Sequence, residues 1–120
     1  MQKAAAGQGV APSGAIDLAH LERATFGDHA LRREVLSLFQ RQAATLGVEL
    51  AQADSDRLRA DIAHRLRGAA LGVGAMTVAE AAAAFERAPE NAAQLAEALG
   101  RLAASIAEAR TATTEIIGGN

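Results

Sequence analysis

Apolar residues recur along this chain at intervals of three and four, which is the spacing of one face of an α-helix. Between about residues 29 and 51 the repeat consists of Leu31, Val35, Leu38, Phe39, Leu46 and Leu50. Between about residues 90 and 113 it consists of Leu95, Leu99, Leu102 and Ile106. Both series predict long helices that bury one apolar face.

Capping residues set the boundaries of the central helices. Asp28 is expected to cap the helix over 29–51, because a short polar side chain can accept a hydrogen bond from the first helical turn. Either Asp54 or Ser55 is expected to cap a further helix that begins at about residue 55 and ends near residue 72.

Glycines predict the end of the helix over about 55–72, and a pair of polar residues predicts the start of the next helix. The glycines of "GVGAM" (72–76) are expected to end the preceding helix. Thr77 and Glu80 have the spacing of a capping box and predict a fourth helix that continues to about Arg87. A short helix over 15–24 precedes the four longer ones.

The composition supports an all-α fold. Alanine and leucine are strong helix formers, whereas aromatic residues, which favour strands, make up 2% of the chain. Four longer helices with short links predict an antiparallel up-down four-helix bundle with a short additional N-terminal helix. The bundle domain is expected over 15–113, between a flexible N-terminal tail over 1–14 and a frayed C-terminal end over 114–120.

The charge and residue usage exclude several classes of function. The net charge is −2 and the two signs are interspersed, which argues against a nucleic-acid partner because such a partner requires a basic face. The chain has no cysteine, so disulfides and thiolate chemistry are excluded. No apolar run approaches the roughly 20 residues of a membrane span. We expect a monomeric cytoplasmic protein without a membrane partner.

The helix over about 55–72 has an apolar stripe and an opposite face. At about 100° per residue, the stripe consists of Leu58, Ile62, Leu66, Ala69 and Val73. His64 falls roughly opposite the centre of this stripe, so its imidazole is expected to point away from the core. The residues expected to share its outward side are Arg57, Ala60, Arg67, Gly68, Leu71 and Ala75.

The neighbours of His64 distinguish it from an ordinary surface histidine. Gly68 follows it by four residues and is stacked beside it on a helix, and Gly72 extends the same row. The missing side chains leave one flank of the imidazole open, while the Arg67 guanidinium suits phosphate oxygens. An ordinary imidazole is largely neutral at pH 7 and nucleophilic, so this set fits a histidine that accepts a phosphoryl group. The alternative is that Gly68 and Gly72 allow another helix of the bundle to pack closely.

The stretch "AHRLRGAALGVGA" (63–75) resembles the signature of histidine-containing phosphotransfer (HPt) domains, which belong to bacterial two-component phosphorelays. The matching positions are His64, Leu66, Arg67, Gly68 and the pair Gly74-Ala75. The resemblance covers about residues 15–113. Arg67 stands where lysine is commoner in the family.

The resemblance implies a carrier protein with a phosphohistidine intermediate. Nε2 of His64 would accept a phosphoryl group from a receiver-domain aspartate of a hybrid histidine kinase and pass it to a response-regulator aspartate. Arg67 and Gly68 would neighbour the phosphoryl group. The docking surface for receivers would consist of Arg57, Ala60, Leu71, Gly72 and Ala75. The chain would need no cofactor of its own, because the receiver would supply Mg²⁺, and it has no "GxxxxGK[ST]" nucleotide loop of its own.

Other interpretations lead to different functions. The chain could be a non-phosphorylated helical interaction module that regulates a kinase or receiver by binding, or a plain bundle that dimerises through its alanine- and glycine-rich surface. His20 and His29 are interpreted as ordinary surface or boundary residues, because neither is followed by Arg-Gly at the matching spacing. A metal site built from His20, His29 and His64 has no supporting ligand pattern.

Overall fold

The computed structural model describes residues 14–118 and is all-helical over that range. Its elements, in chain order, are α1 (Leu18–Ala24), α2 (His29–Gln52), α3 (Asp56–Val73), α4 (Met76–Ala83), a 3₁₀ turn (Ala84–Glu86) and α5 (Ala92–Gly118). The predicted N-terminal tail lies outside the described residues apart from Gly14, and so do the last two residues of the predicted frayed end. Within the described range, no helix is both long enough and apolar enough to cross a membrane.

Side-chain caps begin the first three helices. The carboxylate of Asp28 accepts a hydrogen bond from the Leu31 amide at 3.0 Å, as predicted. Ser55 is the cap of α3, since its hydroxyl accepts from the Leu58 amide at 3.1 Å. Asp17 caps α1 in the same way, which places the start of that helix three residues later than predicted.

The predicted capping box at Thr77 and Glu80 is wrong. The residue before α4 is Ala75, which makes no side-chain capping bond, and Thr77 lies inside the helix. Its hydroxyl oxygen is buried and has no hydrogen-bond partner among the described residues. The physical reason is the shortness of the link, because Gly74 and Ala75 alone separate α3 from α4. The chain has therefore entered α4 before it reaches Thr77.

The boundaries of the last two helices also differ from the prediction. The α4 helix ends at Ala83, and the chain then tightens into the 3₁₀ turn, which buries Phe85. The α5 helix continues through Gly118, so residues 114–118 are helical and not frayed. Ile116 and Ile117 pack against the core, and this burial stabilises the final turn.

The core draws on every helix and is rich in alanine. Large buried side chains come from the segment before α1, from α1 itself, and from α2, α3, α4 and the 3₁₀ turn; they include Ile16, Leu21, Leu36, Leu50, Leu66, Val78 and Phe85. Between them lie buried alanines, which let helices approach closely. The short α1 helix therefore belongs to the same core as the longer helices.

Gly74 ends α3 and holds α1 in place. Its φ angle is +83°, a left-handed conformation that residues with a Cβ rarely adopt. Its carbonyl oxygen accepts a hydrogen bond from the Asp17 amide at 2.8 Å. A Cβ at this position would lie 2.9 Å from the Asp17 carbonyl oxygen. The prediction that glycine terminates this helix is confirmed, and the close approach of Asp17 adds a second requirement for glycine.

We predict opposite effects on stability for the same substitution at two neighbouring glycines. Gly74→Ala combines left-handed strain with a backbone clash and should lower the free energy of unfolding by about 1–3 kcal/mol. Gly72→Ala, whose Cβ meets none of the described residues within 4 Å, should raise it by up to about 1 kcal/mol. Urea denaturation of both variants measures the difference, and a shift in the same direction for both would contradict the role given to Gly74.

Candidate functional site

The buried face of α3 is broader than the predicted stripe. Ile62, Leu66 and Val73 are buried as expected, and Ala69 is half-buried. The prediction for Leu58 is wrong, because 43% of this residue is exposed.

The difference arises from the neighbours of α3. The helix packs against α2, against α4 with the 3₁₀ turn, and against α1. Its buried arc therefore includes Ala63 and Ala70, which the apolar stripe did not contain. Leu58 lies in the first turn, beside the Ser55 cap, where these neighbours leave it exposed.

His64 lies on the exposed side of α3, as its helical phase predicts. Its side chain is 78% exposed. Gly68 and Gly72 are also exposed, and a Cβ built on either one meets no atom of residues 14–118 within 4 Å. The alternative that these glycines let another helix pack closely is therefore wrong. The open flank beside the imidazole is confirmed as a geometric feature.

The other residues of the predicted docking surface differ in their exposure to solvent. Arg57 and Leu71 are exposed and Ala60 is half-buried. Ala75 is 0% exposed, so its inclusion in this surface is wrong. The left-handed backbone at Gly74 breaks the helical phase, and the Ala75 amide folds back to donate to the Ala70 carbonyl at 2.8 Å.

A carboxylate that the sequence did not indicate lies beside His64. Oε2 of Glu86 is 3.7 Å from Nδ1 of His64 and 3.5 Å from a terminal guanidinium nitrogen of Arg67. One oxygen therefore contacts two groups of α3. The side chains of Glu86 and Arg67 are 34% and 42% exposed, so water weakens this charge cluster without abolishing it.

The burial of Phe85 places Glu86 in this position. Phe85 is 1% exposed and fixes the 3₁₀ turn against the core, and the turn packs on α3. Glu86, the next residue, then faces the exposed side of α3. No periodicity links residue 86 to residue 64, so no signal in the sequence pointed to this contact.

The contact distinguishes the two nitrogens of the imidazole. Glu86 faces Nδ1, and a proton on Nδ1 would point toward the carboxylate. The distance of 3.7 Å exceeds a hydrogen bond, although such contacts often tighten only when the reacting partner is bound. With the proton on Nδ1, the lone pair of Nε2 is available for nucleophilic attack.

The other two histidines have different surroundings. Nδ1 of His29 contacts the guanidinium of Arg32, which also pairs with Glu22 at 3.1 Å. His20 is half-buried and lies against Gly74. In the part of the chain that the structure describes, the three histidines do not join any group of side chains that could hold a metal ion.

Comparisons of the chain with protein-family models, with curated proteins and with solved structures return no match.

Truncation of a buried and of an exposed leucine on α3 should change the free energy of unfolding by very different amounts. Leu66 is fully buried and Leu71 is 40% exposed. Leu66→Ala should lower the free energy of unfolding by about 2–5 kcal/mol because it leaves a cavity, whereas Leu71→Ala should change it by less than about 1 kcal/mol. Circular dichroism during urea titration gives both values. Equal losses for the two variants would mean that the faces of α3 are misassigned.

Proposed function

We propose that this chain is an HPt domain of a phosphorelay. In this role His64 accepts a phosphoryl group from the aspartate of one receiver domain and passes it to the aspartate of a response regulator. The observation that carries the proposal is the exposed imidazole of His64 with the open flank at Gly68 and Arg67 alongside. The sequence resemblance over 63–75 and the all-helical architecture support the same assignment.

The architecture that we propose is an antiparallel up-down four-helix bundle with α1 as an additional helix. The links are short, since residues 53–55 join α2 to α3 and residues 74–75 join α3 to α4. Short links favour antiparallel neighbours. Packing of α3 against α2, and of α5 against both α2 and α4, agrees with this arrangement.

The phosphoryl transfer that we propose uses Nε2 of His64 as the nucleophile. The Nε2 lone pair attacks the phosphorus of the receiver's aspartyl phosphate, a nitrogen–phosphorus bond forms, and the aspartate leaves as a carboxylate. Arg67 offers a positive charge to the phosphoryl oxygens. Mg²⁺ in the receiver's own site would neutralise charge on the transferred group.

The docking surface that we propose comprises the exposed residues around His64. The set is Arg57, Ala60, Leu71 and Gly72, without the buried Ala75. Leu71 supplies apolar area, and Gly68 and Gly72 let a partner approach the helix backbone. A carrier must release each partner after transfer, so a small interface of the transient class is expected.

Phosphoryl transfer from a panel of labelled receiver domains tests the proposal. Wild-type protein should acquire a phosphate that is stable in base and lost in acid, and His64→Gln should acquire none. His29→Gln serves as the matched control and should be labelled at the wild-type rate. A folded wild-type chain that binds receivers but takes no label from any of them would instead indicate an interaction module.

A bulky side chain at Gly68 should block transfer without unfolding the helix. Gly68→Leu fills the open flank beside His64, and we expect at least a tenfold lower transfer rate, equivalent to about 1.4 kcal/mol. The control is Gly100→Leu, because Gly100 is also an exposed helical glycine whose Cβ would meet no atom within 4 Å in the described part of the chain. Both substitutions improve helix propensity, so a normal transfer rate in Gly68→Leu would show that the open flank is not needed.

A further inference from the structure

The two most exposed large apolar residues in the described part of the chain lie at opposite ends of α2. Phe26, in the turn before this helix, is 87% exposed, and Val48, near its C-terminal end, is 56% exposed. Val48 also lines an open groove between α2 and α5 that alanine, glycine and aliphatic residues alone surround. Two apolar features on one helix are therefore left facing solvent, away from the residues of α3.

The backbone of Phe26 is unsuited to an aromatic residue. Its φ angle is +56°, a left-handed conformation that bulky residues rarely adopt. Hydrogen bonds hold the turn in this shape. The Gly27 amide donates to the Glu22 carbonyl at 3.1 Å, and the Asp28 amide donates to the Thr25 carbonyl at 2.9 Å. The fold of the single chain therefore gives no reason for a phenyl ring at this position, whereas burial against a second molecule would.

The outward side of α2 between Phe26 and Val48 has a repeat of seven residues. Seven residues make almost two helical turns, so side chains with this spacing lie on one side of a helix. One row is small, and consists of Ala30, Ser37 and Ala44. The neighbouring row carries a negative charge, a positive charge and an apolar side chain, and consists of Glu34, Arg41 and Val48. Ser37 is half-buried, and the other five residues are exposed.

We propose that this surface binds a second copy of the chain, with the two α2 helices packed antiparallel about a two-fold axis at Ser37. The surface, which we call the outer face of α2, consists of Phe26, Ala30, Glu34, Arg41, Ala44 and Val48. The inference goes beyond the function proposed for His64, because no residue of this face belongs to α3. It gives a dimer where the sequence by itself suggests a monomer.

The apolar residues of the outer face of α2 match one another in this arrangement. Phe26 lies eleven residues before Ser37 and Val48 lies eleven residues after it. Two-fold symmetry about Ser37 therefore brings each Phe26 to the Val48 of the other copy, beside the apolar groove. Ala30 and Ala44 are each seven residues from Ser37, so they also face each other, and their small side chains let the two backbones approach.

The charges match in the same register. Glu34 lies three residues before Ser37 and Arg41 lies four residues after it, so each faces the opposite charge on the second copy. Within one copy these two residues are about 10.5 Å apart along the helix axis, and among the described residues neither forms an ion pair. The two-fold axis forms the intermolecular pair twice. Such pairs fix orientation and register more than they raise affinity.

The available area fits a weak and reversible dimer. The 24 residues of α2 span about 36 Å, and with a helix width of about 10–12 Å their contact buries roughly 400 Å² per copy. An aromatic side chain buries about 150–250 Å². The two Phe26 side chains therefore bring the total to roughly 1,200 Å², the lower end of stable specific interfaces. We expect a dissociation constant in the micromolar range.

Sedimentation equilibrium of the full chain, from micromolar to millimolar concentration, measures the association. Wild type should approach twice the mass of one chain at the highest concentrations. Phe26→Asn should raise the dissociation constant at least tenfold, because it removes the ring that the second copy buries. The matched control is Leu58→Asn, because Leu58 is also an exposed large apolar residue but lies on α3. This control should associate as wild type does.

The same Phe26 variant separates association from folding. Asparagine tolerates the left-handed conformation better than phenylalanine does. In dilute solution, where the chain is monomeric, Phe26→Asn should therefore keep or raise the free energy of unfolding. A loss of stability in the dilute monomer would mean that Phe26 packs within its own chain, and it would overturn the role given to this residue.

Charge reversal tests the antiparallel register. Glu34→Arg and Arg41→Glu each place like charges opposite one another in a homodimer, so each variant alone should associate at least tenfold more weakly at low ionic strength. In a mixture of the two variants, a copy with two arginines faces a copy with two glutamates. The mixture should therefore recover association close to that of wild type. Circular dichroism should show that both variants keep their helices, because both positions are exposed.

Three results would overturn the proposal, and none of them bears on the labelling of His64. A wild-type chain that stays monomeric at millimolar concentration excludes the dimer. A dimer that survives Phe26→Asn and both charge reversals has its contact elsewhere on the chain. A mixture of the two charge variants that does not associate excludes the antiparallel register.

Discussion

The left-handed backbone at Gly74 is the constraint on which the arrangement of the site depends. It ends α3 and reverses the chain into α4 within two residues. Its carbonyl also binds the Asp17 amide and so joins α1 to the end of the histidine helix. Because α4 starts immediately, the 3₁₀ turn that follows lies back along α3 and not beyond its end. The placement of Glu86 beside His64 is a consequence of this early reversal.

Neighbouring elements cover one face of α3 and leave the opposite face exposed. The covered face packs against α2, α4 and the 3₁₀ turn. The exposed face spans about half of the helix, and it includes the imidazole of His64, the two open glycines and Leu71. A helix is a rigid support, so the nucleophile, the neighbouring cation and the open flank keep a fixed relation to one another. In the role that we propose, this geometry suits a partner that must dock, react and leave.

The charge cluster at His64 consists of partly exposed side chains, and this exposure limits the strength of the interactions among them. A buried carboxylate would interact strongly with the imidazole, but it would also require desolvation. The partly exposed Glu86 interacts more weakly with both His64 and Arg67. In the role that we propose, a modest interaction is useful, because a carrier has to give up the phosphoryl group as readily as it accepts it.

The sequence by itself determined the helical elements, the outward direction of His64 and the glycine-lined flank. These features depend on local propensity, capping at Asp28 and Ser55, and a repeat within a single helix, all of which are properties of short segments. The expectation for Leu58 is wrong because the sequence does not determine which parts of α3 other helices cover. The expectation for Ala75 is wrong because the left-handed backbone at Gly74 breaks the helical phase before that residue. Only the tertiary structure brought Glu86 to His64, because that contact depends on the reversal at Gly74 and the burial of Phe85. Contacts between distant segments arise from packing, and helical periodicity carries no information about them.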